Sequence, residues 1–95
     1  MFIVLLRFSG DRDKAGRLMD GHNQWLRRGF DDGVFLLAGS LQSGQGGGIL
    51  ANGASRAALQ SRVEQDPFVA EKVVTAEILE ITPSKTDARL QFLAG

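Results

Sequence analysis

One histidine, His22, and the step Asp66-Pro67-Phe68 are the parts of this 95-residue chain best suited to moving protons. An imidazole changes charge near neutral pH, so it serves as general base or acid once a partner fixes its tautomer. Asp66 is a candidate for that partner. Leu59, Val63 and Asp66 follow the spacing i, i+4, i+7, which puts the carboxylate on the inward apolar stripe of a helix. Pro67 has no N–H to continue that helix and disfavours the α region for the residue before it, so Asp66 is expected at its end. A carboxylate there opposes the helix dipole and needs something else to hold it. Placed at about 100° per residue, Ala15, Leu18, Met19, Trp25 and Leu26 fall within roughly 60° of His22. The imidazole therefore faces inward, either as a core histidine bonded to a carbonyl or as the group Asp66 meets. Asp66 taken alone could equally bond nearby backbone N–H groups.

Other side chains are secondary candidates. Ser40 is expected at the rim of the same cleft, as a donor to a substrate oxygen or as an ordinary turn serine. Arg7 interrupts an apolar strand and could clamp an anion or pair with an acid across a dimer. Trp25 and Phe68 read as core or as cleft walls. The run Gly44-Gln45-Gly46-Gly47-Gly48 lacks the Lys-Ser/Thr of a phosphate loop and precedes a strand, so it reads as a flexible hairpin. One histidine and no cysteine cannot furnish the usual zinc set, and thiol chemistry is excluded. No metal and no cofactor is expected.

The elements that must position these residues follow from periodicity. Phe2 to Phe8 is apolar on both faces, as in an interior strand. A helix is predicted over 13–28, with Arg27 and Arg28 suiting its C-terminal dipole and Gly29 as its C′ residue. Gly16 and Gly21 weaken it by roughly 1 kcal/mol each, and they leave room for a close neighbour. Strands are predicted over 34–38, 48–52 and 73–81, and a second helix over 56–65 with Ser55 as its N-cap. Pro83 ends the domain, 1–83. The tail, 84–95, carries Leu90, Phe92 and Leu93 and is expected to dock.

The order β-α-β-β-α-β is the α+β ferredoxin-like pattern, a four-stranded antiparallel sheet with two helices on one face. Two helices cover only one face of an apolar first strand, so the other predicts a homodimer, sheet against sheet. Eleven basic and eleven acidic residues cancel, which leaves no electrostatic footprint for nucleic acid or an anionic membrane. The apolar start is too short for a span or a signal, and the default location is cytoplasmic.

The chain resembles the YciI-like (YCII-related) family from Phe2 to Pro83. The resemblance rests on the first strand, His22-x-x-x-Leu26-x-x-Gly29, Gly39-Ser40, Gly47-Gly48 and Asp66-Pro67-Phe68. It implies a dimeric α+β barrel with a His–Asp dyad, carried here by His22 and Asp66. It also implies isomerisation or elimination on a small polar or aromatic molecule, since relatives of this architecture include a dehydrochlorinase and the muconolactone isomerases. Leu41-Gln42 stands where the family often has proline, and Met19 where it often has a polar residue. Two further readings stand beside this one. The chain could be a non-catalytic dimeric module that binds a small molecule or a partner. The wider barrel superfamily, some of whose members bind haem or run cofactor-free oxygenation, implies a third reading through His22 and Trp25, which no second feature supports.

Overall fold

The computed structural model describes residues 1–94, the Ser43 side chain excepted. Among these, four strands form one antiparallel sheet in the order β2-β3-β1-β4. They are β1 (Phe2–Phe8), β2 (Phe35–Ser40), β3 (Gly46–Ala51) and β4 (Val74–Glu80). Helices α1 (Arg12–Asp31), α2 (Arg56–Glu64) and the single turn α3 (Pro67–Ala70) complete the ferredoxin-like α+β fold expected from the element order.

The register decides which side chains face the helices. Val4 lies opposite Ile49 on one side and Ile78 on the other, while Phe2 lies opposite Ala51. Side chains alternate along a strand, so Phe2, Val4 and Leu6 share one face and Ile3, Leu5 and Arg7 the other. The first set is buried with Trp25, Leu59 and Val63 from the helices. Leu37 and Leu79, on the far face, are 58% and 41% exposed.

Several boundaries differ from the sequence expectation, each for a local reason. The first helix does not stop at Gly29. It continues to Asp31, and Gly29 serves packing instead: the Phe35 ring fills the space a Cβ there would need, so the glycine lets helix and strand close together. Strand β3 begins at Gly46, so much of the glycine run is sheet and not loop. Gly46 adopts φ 140°, and a Cβ there would run into the Leu6 carbonyl oxygen. Only glycine lets the two strands approach at that point. Ser55 caps α2 as expected, its hydroxyl accepting from the Ala58 N–H at 3.1 Å. In the tail, Leu93 is buried whereas Phe92 remains exposed. Asp87 caps the last turn, and hydrogen bonds from the Arg89 side chain and backbone hold its carboxyl below the ordinary carboxylate range.

The largest local difference concerns Asp66. Helix α2 ends at Glu64, and Asp66 takes an extended conformation (φ −62°, ψ 125°) as the N-cap of α3. The carboxylate therefore sits at the favourable end of a new turn, with Pro67 at its first helical position. The expected conflict with the α2 dipole does not arise.

Candidate active site

Three ties bind the helices to one another around His22. Trp25 Nε1 donates to the Arg62 carbonyl at 2.9 Å, and Arg62 in turn pairs with Asp32 at 2.8 Å. Gly21 lets α1 approach α3, since a Cβ there would lie 3.2 Å from the Pro67 ring. The third tie is between His22 Nδ1 and Asp66 Oδ1, 2.8 Å apart and 44 residues apart in sequence. Asp66 Oδ1 also accepts the Phe68 N–H at 3.1 Å, so one oxygen caps the turn and meets the imidazole together.

The imidazole is held on its faces as well as its edge. Phe68 stacks on it nearly parallel, with centroids 4.1 Å apart and planes 7° apart. Trp25 lies 5.8 Å away on the helix side. Asp66 is fully buried, while the His22 side chain keeps 13% of its surface exposed. With Nδ1–H donating to the carboxylate, Nε2 carries a free lone pair. It has no hydrogen-bond partner among the described residues, and it is not among the buried polar atoms left unpaired. The buried atom without a partner is Asp66 Oδ2.

Beside His22 opens a hollow of about 370 Å³ between α1 and the end of the sheet. Its roof includes Met19, His22 and Leu26, its walls include Phe8 and Phe68, and Ser40 and Gly47 lie in its floor. The floor is hollow because of register. Gly47 stands between Ser40 and Leu6 on the helix-facing side of the sheet, where any other residue would send a side chain upward. A Cβ at Gly47 would meet only the Gly39 carbonyl oxygen, at 3.2 Å. No Asp, Glu, Lys or Arg is among the described lining residues.

The structure thus brings His22, Asp66, Phe68 and Ser40 to one place. Trp25 is buried in the core and does not line the hollow. Arg7 pairs with Glu77 of its own chain at 2.8 Å, on the sheet face away from the helices. Sequence reasoning missed Asn23 and the Gly47 floor, both of which line the hollow. Met19 belonged to the apolar arc by periodicity, yet it is 42% exposed because the space beneath it is open. Among the described residues no group of three or more His, Cys, Asp or Glu could hold a metal ion. None of the helices is long and apolar enough to cross a membrane.

The fold matches that of a 5-chloro-2-hydroxyhydroquinone dehydrochlorinase from Burkholderia phenoliruptrix, solved with 2,5-dihydroxybenzoquinone. The match has a TM-score of 0.69 at 15% identity and covers 85% of this chain and 93% of the enzyme. No curated protein sequence matches the chain. The model of the YCII-related domain matches residues 1–85, and the chain belongs to that family.

Proposed function

We propose that the protein is a small proton-transfer enzyme acting on a flat, hydroxylated ring, with His22 Nε2 as the base and Asp66 as its orienting partner. The observation that carries this reading is the 2.8 Å contact from His22 Nδ1 to a fully buried carboxylate, beside a hollow that the same ring lines. Nε2 takes a proton from a ring carbon or hydroxyl, and the electron pair moves into the ring. In an isomerisation the imidazolium returns the proton at another atom. In an elimination the pair expels a leaving group, and the proton departs with it as the acid. Asp66 offsets the charge of the imidazolium in both cases. Ser40 is placed to donate to a ring oxygen.

The shape of the site supports a planar ligand. A floor of bare glycine backbone and apolar walls offers flat surfaces that suit a planar ring. The fold's likeness to an enzyme bound to a dihydroxybenzoquinone agrees with that class. A direct test follows the one histidine in the sequence by proton NMR while 2,5-dihydroxybenzoquinone is added. Turnover is followed in parallel as halide release or deuterium uptake across a panel of halogenated and hydroxylated rings. Unmoved histidine resonances and an unreactive panel would remove the proposal.

Filling the floor is a second test. Gly47→Val sends two methyl groups into the hollow from a position without left-handed backbone. We expect ring binding to weaken about fivefold to a hundredfold, because an overpacked contact costs about 1–3 kcal/mol. The melting temperature falls by several degrees, since the new Cβ meets the Gly39 carbonyl oxygen at 3.2 Å before the methyl groups reach open space. Equal ring affinity in Gly47→Val, measured by the same titration, places the ligand elsewhere.

We also propose that a second copy covers the far face of the sheet. Leu37 and Leu79 are exposed there beside the half-buried Ile3, Leu5 and Leu50. With no net charge to keep copies apart, a contiguous apolar face of this kind favours self-association. Light scattering is expected to give a dimer at micromolar concentration, and Leu37→Glu a monomer. A monomeric parent chain rules the dimer out.

A further inference from the structure

Arg12 is the first residue of α1, and its guanidinium makes two contacts at the edge of the hollow. Its NH2 nitrogen donates to the Gly44 carbonyl at 3.0 Å, and its Cζ lies 4.5 Å from the centroid of the Phe8 ring. Phe8 and Gly44 both line the hollow, so the cation sits on its rim. A guanidinium held over an aromatic ring keeps N–H donors in the plane of its fork that neither the ring nor one carbonyl uses. The other arginines with ion pairs here are Arg7 on Glu77, Arg62 on Asp32 and Arg89 on Asp87. Among the described residues no carboxylate lies within ion-pair distance of Arg12. Asp11 and Asp13 flank it in sequence, but the Asp11 carboxylate is turned onto the Asp13 N–H at 2.9 Å.

The interior contrasts with this rim. It is lined by apolar groups, His22, Asn23, Ser40 and glycine backbone, with no permanent cation. A ring carrying an ionised oxygen group therefore has one place to put its charge without burying it unpaired, and that place is Arg12. We propose that Arg12 anchors the anionic group of the ligand, which makes the ligand a planar ring with an ionised oxygen substituent at its outer edge. This rests on the reading of the hollow as a ring site. It adds the polarity of the ring: charged edge toward Arg12, reacting edge toward His22 Nε2. Arg12 is here a binding residue and takes no part in the proton transfer.

The same two contacts would also let Arg12 act only as a strap between α1 and the β2–β3 turn, so the test must separate charge recognition from support. Benzoate and its neutral isostere benzamide are titrated into the full chain, its Arg12→Gln and its Arg12→Lys variants. The readout is the ring resonance of the single histidine. The parent is expected to favour benzoate, and Arg12→Gln to weaken benzoate roughly three- to tenfold while leaving benzamide unchanged. Arg12→Lys keeps the charge without the fork and retains part of the preference. Added salt weakens benzoate in the parent and has little effect in Arg12→Gln. Equal weakening of both ligands in Arg12→Gln, or of neither, overturns the anchor. Benzamide moving the histidine without any benzoate preference overturns the anchor and leaves the ring site standing. If neither ring moves it, the ring site falls as well.

Discussion

We expect His22→Gln to abolish the proposed turnover in a protein that still folds and still binds rings. Glutamine keeps a polar side chain that can reach Asp66 but offers no group that takes and returns a proton near neutral pH. Loss of a positioned general base costs about a hundredfold to ten-thousandfold in rate. The fold tolerates the change because the core beneath is made by Trp25, Leu59 and Val63, none of which depends on the imidazole for burial. The Phe68 stack is lost, and a drop of a few degrees in melting temperature is the expected signature. The rate is read as halide release or isotope exchange, and ring affinity as quenching of the single tryptophan, Trp25, 5.8 Å from the substituted position. A variant that turns over as fast as its parent identifies the histidine contact as a structural tie and removes His22 as the base.

The sequence carried the layout of the sheet and the approach of two distant side chains, for reasons that are purely local. Alternation in β1 and the stripe of Leu59, Val63 and Asp66 each specify one buried face, and all three stripe residues are buried. Those faces leave few ways to stack two helices on one sheet. What periodicity could not give is how the chain turns between elements. Whether Asp66 ends one helix or begins the next depends on Asp66 leaving the helical region while Gln65 stays in it, and that change turns an electrostatic penalty into a cap. The hollow escaped for a related reason. Which of three consecutive glycines faces the helices is set by register, and register is decided across strands. Gly47 pairs with Leu6 and so faces inward, while Gly46 and Gly48 point away. Arg12 carries no sequence signal at all. It is one charged residue in an alternating run, and only the turn at Gly44 folding back to meet it gives it a place at the rim.

In the proposed reaction Asp66 serves both fold and chemistry, and substituting it is expected to have the second of the two largest effects. Asp66→Ala removes the acceptor of both the Phe68 N–H and the His22 Nδ1–H. The lost cap, which strands the Phe68 N–H, costs about 1 kcal/mol and the stranded His22 Nδ1–H a further 1–3 kcal/mol, so destabilisation of roughly 2–4 kcal/mol is expected. For a domain of this size that lowers the melting temperature by about ten degrees or more. Asp66→Asn separates the two roles. Oδ1 is pinned by the Phe68 N–H, so an amide oxygen in that position still accepts from Nδ1 and the tautomer is kept. The NH2 group then falls where Oδ2 now lies, buried and without a partner. It leaves two donors unsatisfied and costs about 1–3 kcal/mol. The negative charge opposite the imidazolium is gone, and the rate falls by about a hundredfold or more although the geometry is nearly unchanged. Thermal melts and the pH–rate profile of the two variants check the division. If Asp66→Asn melts lower but turns over at the parent rate with the parent's pH dependence, the carboxylate is a cap and nothing more. If its rate falls and the pH profile shifts in a folded protein, the buried charge is part of the reaction.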